Sequence, residues 1–146
     1  MLIRLAEPGD AVRLLPLNDL FNGEGCNTLD AIRQSLMHNN LEIAAVAEGD
    51  GGELVGFCCG QPFWSFCYDR KYGEVTELFV LEGCRRRGIG AALLGFVEQR
   101  FIDIGIRDFQ LHTGKDNPTG QQFYYANGYI ESNDMMLRKR LGKDNV

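Results

Sequence analysis

Residues 74–92, EVTELFVLEGCRRRGIGAA, constrain the chain more tightly than any other stretch. Val75, Leu78, Phe79, Val80 and Leu81 form a β-branched and aromatic run that stops at Glu82-Gly83, so a strand is predicted there. From Ile89 the apolar residues recur at Leu93, Phe96 and Val97, with Ala91 and Ala92 between them, which is the period of a helix with one buried face. Between strand and helix lies Arg85-Arg86-Arg87-Gly88-Ile89-Gly90. Its glycines permit backbone angles and a closeness of approach that other residues resist. The amides of a helix's first turn have no partner inside the helix and carry a partial positive charge, so the turn suits an anion. Three arginines add bidentate donors, which favours a pyrophosphate over a carboxylate. The turn lacks the Gly-Lys-Ser/Thr of a P-loop, and it lacks the third glycine and the ribose-binding acid of a dinucleotide fingerprint.

This arrangement resembles motif A of the GNAT superfamily, the acyl-CoA-dependent N-acyltransferases, in which Gln/Arg-x-x-Gly-x-Gly/Ala follows a strand. Here the residues are Arg85, Gly88 and Gly90. Further on, Asn117-Pro-Thr-Gly-Gln-Gln-Phe-Tyr124-Tyr-Ala-Asn-Gly128-Tyr129 is similar to motif B, in which an asparagine leads into a helix that ends in Phe-Tyr, followed by Gly and an aromatic residue. Gly120 departs from the alanine usual in the family. Read without the resemblance, the same segment is an amphipathic helix with aromatic core residues and a glycine C-cap. The resemblance implies that Arg85, Arg86, Arg87, Gly88, Ile89, Gly90 and Ala91 hold the coenzyme A pyrophosphate. It implies that the pantetheine arm lies as a pseudo-strand along Phe79 and Val80, with Asn117 touching the arm or its adenine-proximal backbone and Tyr124 beside the sulfur.

Composition bounds the alternatives. The 146 residues are expected to form a single domain, residues 1–146. Hydrophobic residues at 45% and charged residues at 24% are ordinary for a globular chain, and no apolar run approaches the ~20 residues of a membrane span. The opening Met1-Leu2-Ile3-Arg4 does not read as a signal peptide, so a cytoplasmic location is expected. Cys26, Cys58, Cys59, Cys67 and Cys84 form an odd set with no Cys-x-x-Cys pair, which argues for free thiols and against a zinc knuckle. No metal is expected. The net charge of −5 disfavours nucleic acid, while the small cluster at Arg85, Arg86 and Arg87 suits one compact polyanion.

Around the central stretch the chain reads as an α/β (α+β) fold. Residues 1–6 are predicted as a strand, and residues 11–20 as a helix capped by Asp10. A helix beginning at Thr28 and Asp30 follows, with Leu29, Ile32 and Leu36 on one face. Residues 41–47 and 53–60 make a hairpin, and a bulge or kink is predicted at residues 60–62. The helix from about Gly88 to Ile104 leads to a parallel strand at residues 107–113, with Gly105 as its C-cap. A helix at residues 119–127 and a final hairpin of residues 129–131 and 135–141 complete the pattern, and residues 142–146 form a loose tail. The resemblance implies a GNAT-like mixed, largely antiparallel sheet of six or seven strands with about four helices, splayed between its two central strands near Leu78 and Val80.

The chemistry implied is N-acetyl transfer from acetyl-CoA to a primary amine by direct attack in a ternary complex. A strand amide at Phe79 or Val80 would polarise the thioester, and Tyr124 would protonate the departing thiolate, which its ordinary pKa of ~10 allows. An ammonium acceptor must first lose a proton, and Glu77 is the expected base, ahead of Glu74 and Asp134. A small-molecule amine such as an aminoglycoside, polyamine or amino acid is favoured over a protein N-terminus or lysine. A non-catalytic acyl-CoA-binding or regulatory module on the same fold is the alternative. A homodimer is left open.

Overall fold

The structure is a computed structural model that describes residues 1–142; residues 143–146, most of the tail expected to be loose, lie outside the described residues. Contacts group into two compact units, Met1–His112 and Thr113–Val146.

The first unit is one five-stranded sheet with helices on both faces. Strand β1 (Leu2–Leu5) leads through a short 3-10 turn into α1 (Ala11–Asn22), then α2 (Leu29–His38), β2 (Ile43–Glu48), β3 (Leu54–Trp64), β4 (Lys71–Val80), α3 (Ile89–Asp103) and β5 (Phe109–Leu111). The strands lie in sequence order and pair antiparallel, except that β5 runs parallel to β4, as a strand-helix-strand crossover requires. Thr28 caps α2 by accepting from the Ala31 amide at 3.1 Å. Asp10 does not cap α1 with its side chain, contrary to expectation. Its carboxylate, 2% exposed, is held by Arg4 at 2.7 and 2.9 Å and by Arg13, and accepts from the Glu7 amide at 2.7 Å. A buried charge is tolerable only when paired in this way.

Helix α3 covers one face. A Cβ at Gly73 would meet the Phe101 ring at 2.6 Å, and one at Gly60 would meet Phe101 and Val97 at 2.8 and 2.9 Å. These glycines let the helix settle directly onto the backbone of β3 and β4. On the other face Leu14 and Leu17 of α1 join Val46, Leu54 and Phe57, with Ile32, Leu36, Cys59 and Phe79 packed against them.

One irregularity orients the middle of the sheet. Cys59 faces Glu77 and Gly60 faces Val75, so Thr76 is an extra, unpartnered residue in β4. Side chains alternate faces along a strand, and in a regular strand Val75 and Glu77, two residues apart, would share one. The bulge instead turns Gly73 and Val75 toward α3, and Glu77 and Phe79 toward α1 and α2. The irregularity falls opposite Gly60, at the edge of the expected region, but the inserted residue belongs to β4, and β3 runs on unbroken to Trp64.

In the second unit α4 (Pro118–Ala126) is capped by Asn117, whose Oδ1 accepts from the Gly120 amide at 3.1 Å. Gly128, at φ 92°, ends the helix. The expected final hairpin is absent among the described residues, whose sheet has five strands rather than six or seven. Ser132 Oγ donates to Asp134 Oδ2 and accepts from the Asp134 amide, a side-chain turn that replaces the strand pairing expected around it.

Candidate active site

The basic turn forms as the sequence implies. Arg85 follows a 3-10 turn at the end of β4, Arg86 is left-handed at φ 62°, and Gly88 is left-handed at φ 78° as the residue preceding α3. Left-handed residues spaced through a turn build the concavities in which backbone amides gather around an anion. No side chain caps α3, so its first amides are left for a ligand. A Cβ at Gly88 would meet no atom within 4 Å, leaving room for close approach. Arg86, Arg87, Gly88 and Ala91 are exposed and Gly90 partly so, whereas Ile89 buries its side chain and offers only its amide. Arg85 is partly committed to the fold: its Nε donates to the Val80 carbonyl at 2.9 Å and its guanidinium lies 5.8 Å from the Phe79 ring. This donor set fits a pyrophosphate.

Beside the turn the β4–β5 ladder ends at Val75 opposite Leu111. From Thr76 onward the outer edge of β4 therefore has no strand partner among the described residues. The Leu81 amide donates to the Val55 carbonyl at 2.8 Å, and hydrogen-bonded pairs alternate along an antiparallel ladder. The Phe79 N–H therefore points inward to Phe57, while the N–H groups of Leu78 and Val80 point to the open edge. Of the two amides named in the sequence reading, that of Val80 faces the open edge and that of Phe79 does not. Phe79 contributes its ring, packed against Phe21 and Phe57 at 5.5 and 5.8 Å.

Glu77 lies on the face turned to α1 and α2, in a cavity of about 230 Å³. Neither Glu77 nor Glu42 has an ion-pair partner among the described residues, and Glu77 accepts a hydrogen bond from Thr76. Its two rivals are engaged elsewhere: Glu74 takes His112 and Gln110, each at 3.3 Å, and Asp134 takes Ser132. The residues that sequence reading missed are Glu42 and Cys59, which line the same cavity. Ligand atoms of Glu42, Cys59 and Glu77 lie within 4.8 Å of one another. Burial, and then the Glu77 charge, raise the Glu42 carboxyl above its ordinary pKa. Burial holds the Cys59 thiol well above the usual range, with Glu42 and Glu77 adding to the effect.

Asn117 and Tyr124 stand on the second unit. Asn117 spends Oδ1 on the helix cap. A Cβ at Gly120 would collide with Asn117 Nδ2, so an alanine there would shift the end of the Asn117 side chain. The Tyr124 ring meets Phe123 and Tyr129 edge-on at 5.2 and 5.9 Å.

The described residues thus form a mixed α/β fold with an open strand edge beside a basic, glycine-containing turn that leads into a helix. The chain matches the Acetyltransferase (GNAT) family over residues 13–129 and belongs to it. It is 26% identical over 136 residues to the uncharacterized N-acetyltransferase YhfO of Bacillus subtilis (strain 168), covering 90% of this chain and 91% of that protein. It shares its fold with an aminoglycoside acetyltransferase, meta-AAC0020, from an uncultured soil metagenomic sample, solved in complex with sisomicin (TM-score 0.82, 16% identity, 97% of this chain and 96% of that one). The ribosomal-protein-alanine N-acetyltransferase of Brucella melitensis biovar Abortus 2308 is also similar (TM-score 0.79, 19% identity, 96% of this chain and 100% of that one). The chain is an acetyl-CoA-dependent acetyltransferase. Among the described residues, no helix is long and apolar enough to cross a membrane.

Proposed function

We propose that the chain is a cytoplasmic enzyme that transfers the acetyl group of acetyl-CoA to a small primary amine by direct attack in a ternary complex. The observation that carries this reading is the double use of β4: it turns Glu77 into the cavity and the Val80 N–H to the open edge. The pyrophosphate sits on the amides from Gly88 to Ala91 with Arg86, Arg87 and the free end of Arg85, and Asn117 steadies the pantetheine arm. Glu77 takes a proton from the acceptor ammonium, and the freed nitrogen lone pair forms the bond to the thioester carbon. The Val80 N–H stabilises the oxygen as it gains charge. The carbon–sulfur bond then breaks as Tyr124 gives the thiolate its proton, and the newly acylated nitrogen sheds its second proton to solvent, from which the tyrosinate is reprotonated.

Coenzyme A should raise the melting temperature by mass action on the native state, with NAD and ATP doing so much less. Gly88→Val forces a branched residue into a left-handed conformation at the mouth of the turn, and should remove the coenzyme A shift from a folded protein. Equal shifts in wild type and variant would overturn the assignment of the turn.

A further inference from the structure

We propose that His112 is a second proton acceptor of the acyl-transfer site, held by Glu74 to take the proton that the attacking nitrogen keeps after Glu77 has acted; this rests on the acyl-transfer reading above. His112 is the first residue past the β4–β5 ladder, which ends at Val75 opposite Leu111. It therefore stands at the fork where the open edge of β4 begins. Phe109 packs on Phe101 of α3, so alternation along β5 turns Gln110 and His112 to the other face, the one that carries Glu74 and Glu77. The bulge at Thr76 brings those two acids into line. Glu74 pairs with Gln61 and Glu77 with Cys59, two residues apart on β3, which sets them about 7 Å apart along the strand.

The pair is built to accept a proton. His112 Nδ1 lies 3.3 Å from Glu74 Oε1, and Gln110 Nε2 donates to the same oxygen at 3.3 Å, so two side chains of the neighbouring strand fix the carboxylate. A carboxylate at Nδ1 draws the imidazole's proton to that nitrogen and leaves Nε2 as the acceptor. The Glu74 side chain is 19% exposed and that of His112 56% exposed. The shielded acid steadies the imidazolium as it forms, and the exposed ring hands its proton to water. No other ion-pair or hydrogen-bond partner meets the His112 side chain among the described residues.

Attack by the free amine leaves the nitrogen positively charged, with one proton more than an amide holds. Glu77, already protonated, cannot take it. That N–H bond breaks toward His112 Nε2, its electron pair stays on nitrogen as the carbon–sulfur bond breaks, and the imidazolium then releases the proton to solvent.

The test measures acetyl transfer to spermidine, lysine and kanamycin by the wild type, His112→Ala and Glu74→Gln, with added imidazole or pyrazole. On the best of these acceptors His112→Ala should lower kcat at least about tenfold, with KM for the amine within about threefold. An unchanged melting-temperature shift with coenzyme A reports that the variant is folded. Imidazole should restore most of the lost rate, and pyrazole, a ring of the same shape but a far weaker base, should not. Glu74 acts through His112 as a positioning residue, so Glu74→Gln should lower kcat by a smaller factor that imidazole does not repair. A kcat that His112→Ala leaves unchanged, or a loss that imidazole fails to restore or pyrazole restores equally, would overturn the proposal and reduce the pair to a tie between β4 and β5. Coenzyme A binding by a wild type that acetylates none of the three amines would overturn the acyl-transfer reading itself, and this proposal with it.

Discussion

In the proposed mechanism Glu77 and Tyr124 have opposite tasks, one to take a proton before the carbon–nitrogen bond forms and the other to give one as the carbon–sulfur bond breaks. Tyr124→Phe keeps the ring that packs against Phe123 and Tyr129 and removes only the hydroxyl. A general acid typically contributes ~10²–10⁴-fold, so turnover at saturating acetyl-CoA should fall at least tenfold while the dissociation constant for coenzyme A stays within a few-fold. Glu77→Gln should slow the reaction most at low pH, where the acceptor is an ammonium, and the deficit should shrink as pH nears the amine's own pKa. Rate–pH profiles of the two variants on one acceptor separate these roles, and a flat deficit across pH in Glu77→Gln would remove Glu77 as the base. Glu77 could be picked out from sequence because it sits two residues before Phe79 on a strand legible by itself. Glu42 could not, since only the register of β2 on β3 and of β3 on β4 brings it to Cys59 and Glu77.

Elements were legible where their signals are local. The period from Ile89 foretold α3, and Thr28 foretold the start of α2, because a cap and an apolar stripe need no distant partner. Asp10 carries an equally good cap signal, yet its carboxylate turns inward to Arg4 and Arg13, since tertiary ion pairing outweighs a single cap. The expected final hairpin does not form among the described residues, where the Ser132 side chain bonds locally to Asp134 instead. Contact between α3 and the sheet is set by glycines whose importance no period reveals. Gly73→Ala would press a methyl against Phe101, which is fully buried and has little room to yield. Such overpacking should cost about 1–3 kcal/mol in urea unfolding. Thr28→Ala, by contrast, removes one exposed cap and should cost about 1 kcal/mol.

For the molecule as a whole, the Arg4–Asp10 pair ties β1 to the start of α1, and with Glu48 and Arg13 it holds that helix over the cavity. The Arg4 guanidinium lowers the Asp10 carboxyl to a pKa of about 2 from an ordinary 3.8. A group depressed on folding stabilises the native state above its unfolded pKa, so this contribution is complete above about pH 4 and fades as pH falls toward 2. Asp10→Asn should cost on the order of 3 kcal/mol at pH 7, because it leaves two arginines without their buried partner. Urea titrations of both proteins should converge near pH 2, and a gap independent of pH would show that the carboxylate's charge is not what matters. The single inserted residue at Thr76 works on β4 as a one-letter insertion works on a reading frame: everything downstream is read out on the face opposite to the one that plain counting from Val75 assigns it. Deleting Thr76 would close the irregularity without moving a face, because Glu77 would then follow Val75 directly and still stand opposite Cys59. Acetylation should survive that deletion, and its loss in a folded variant would show that the bulge does more than set the faces.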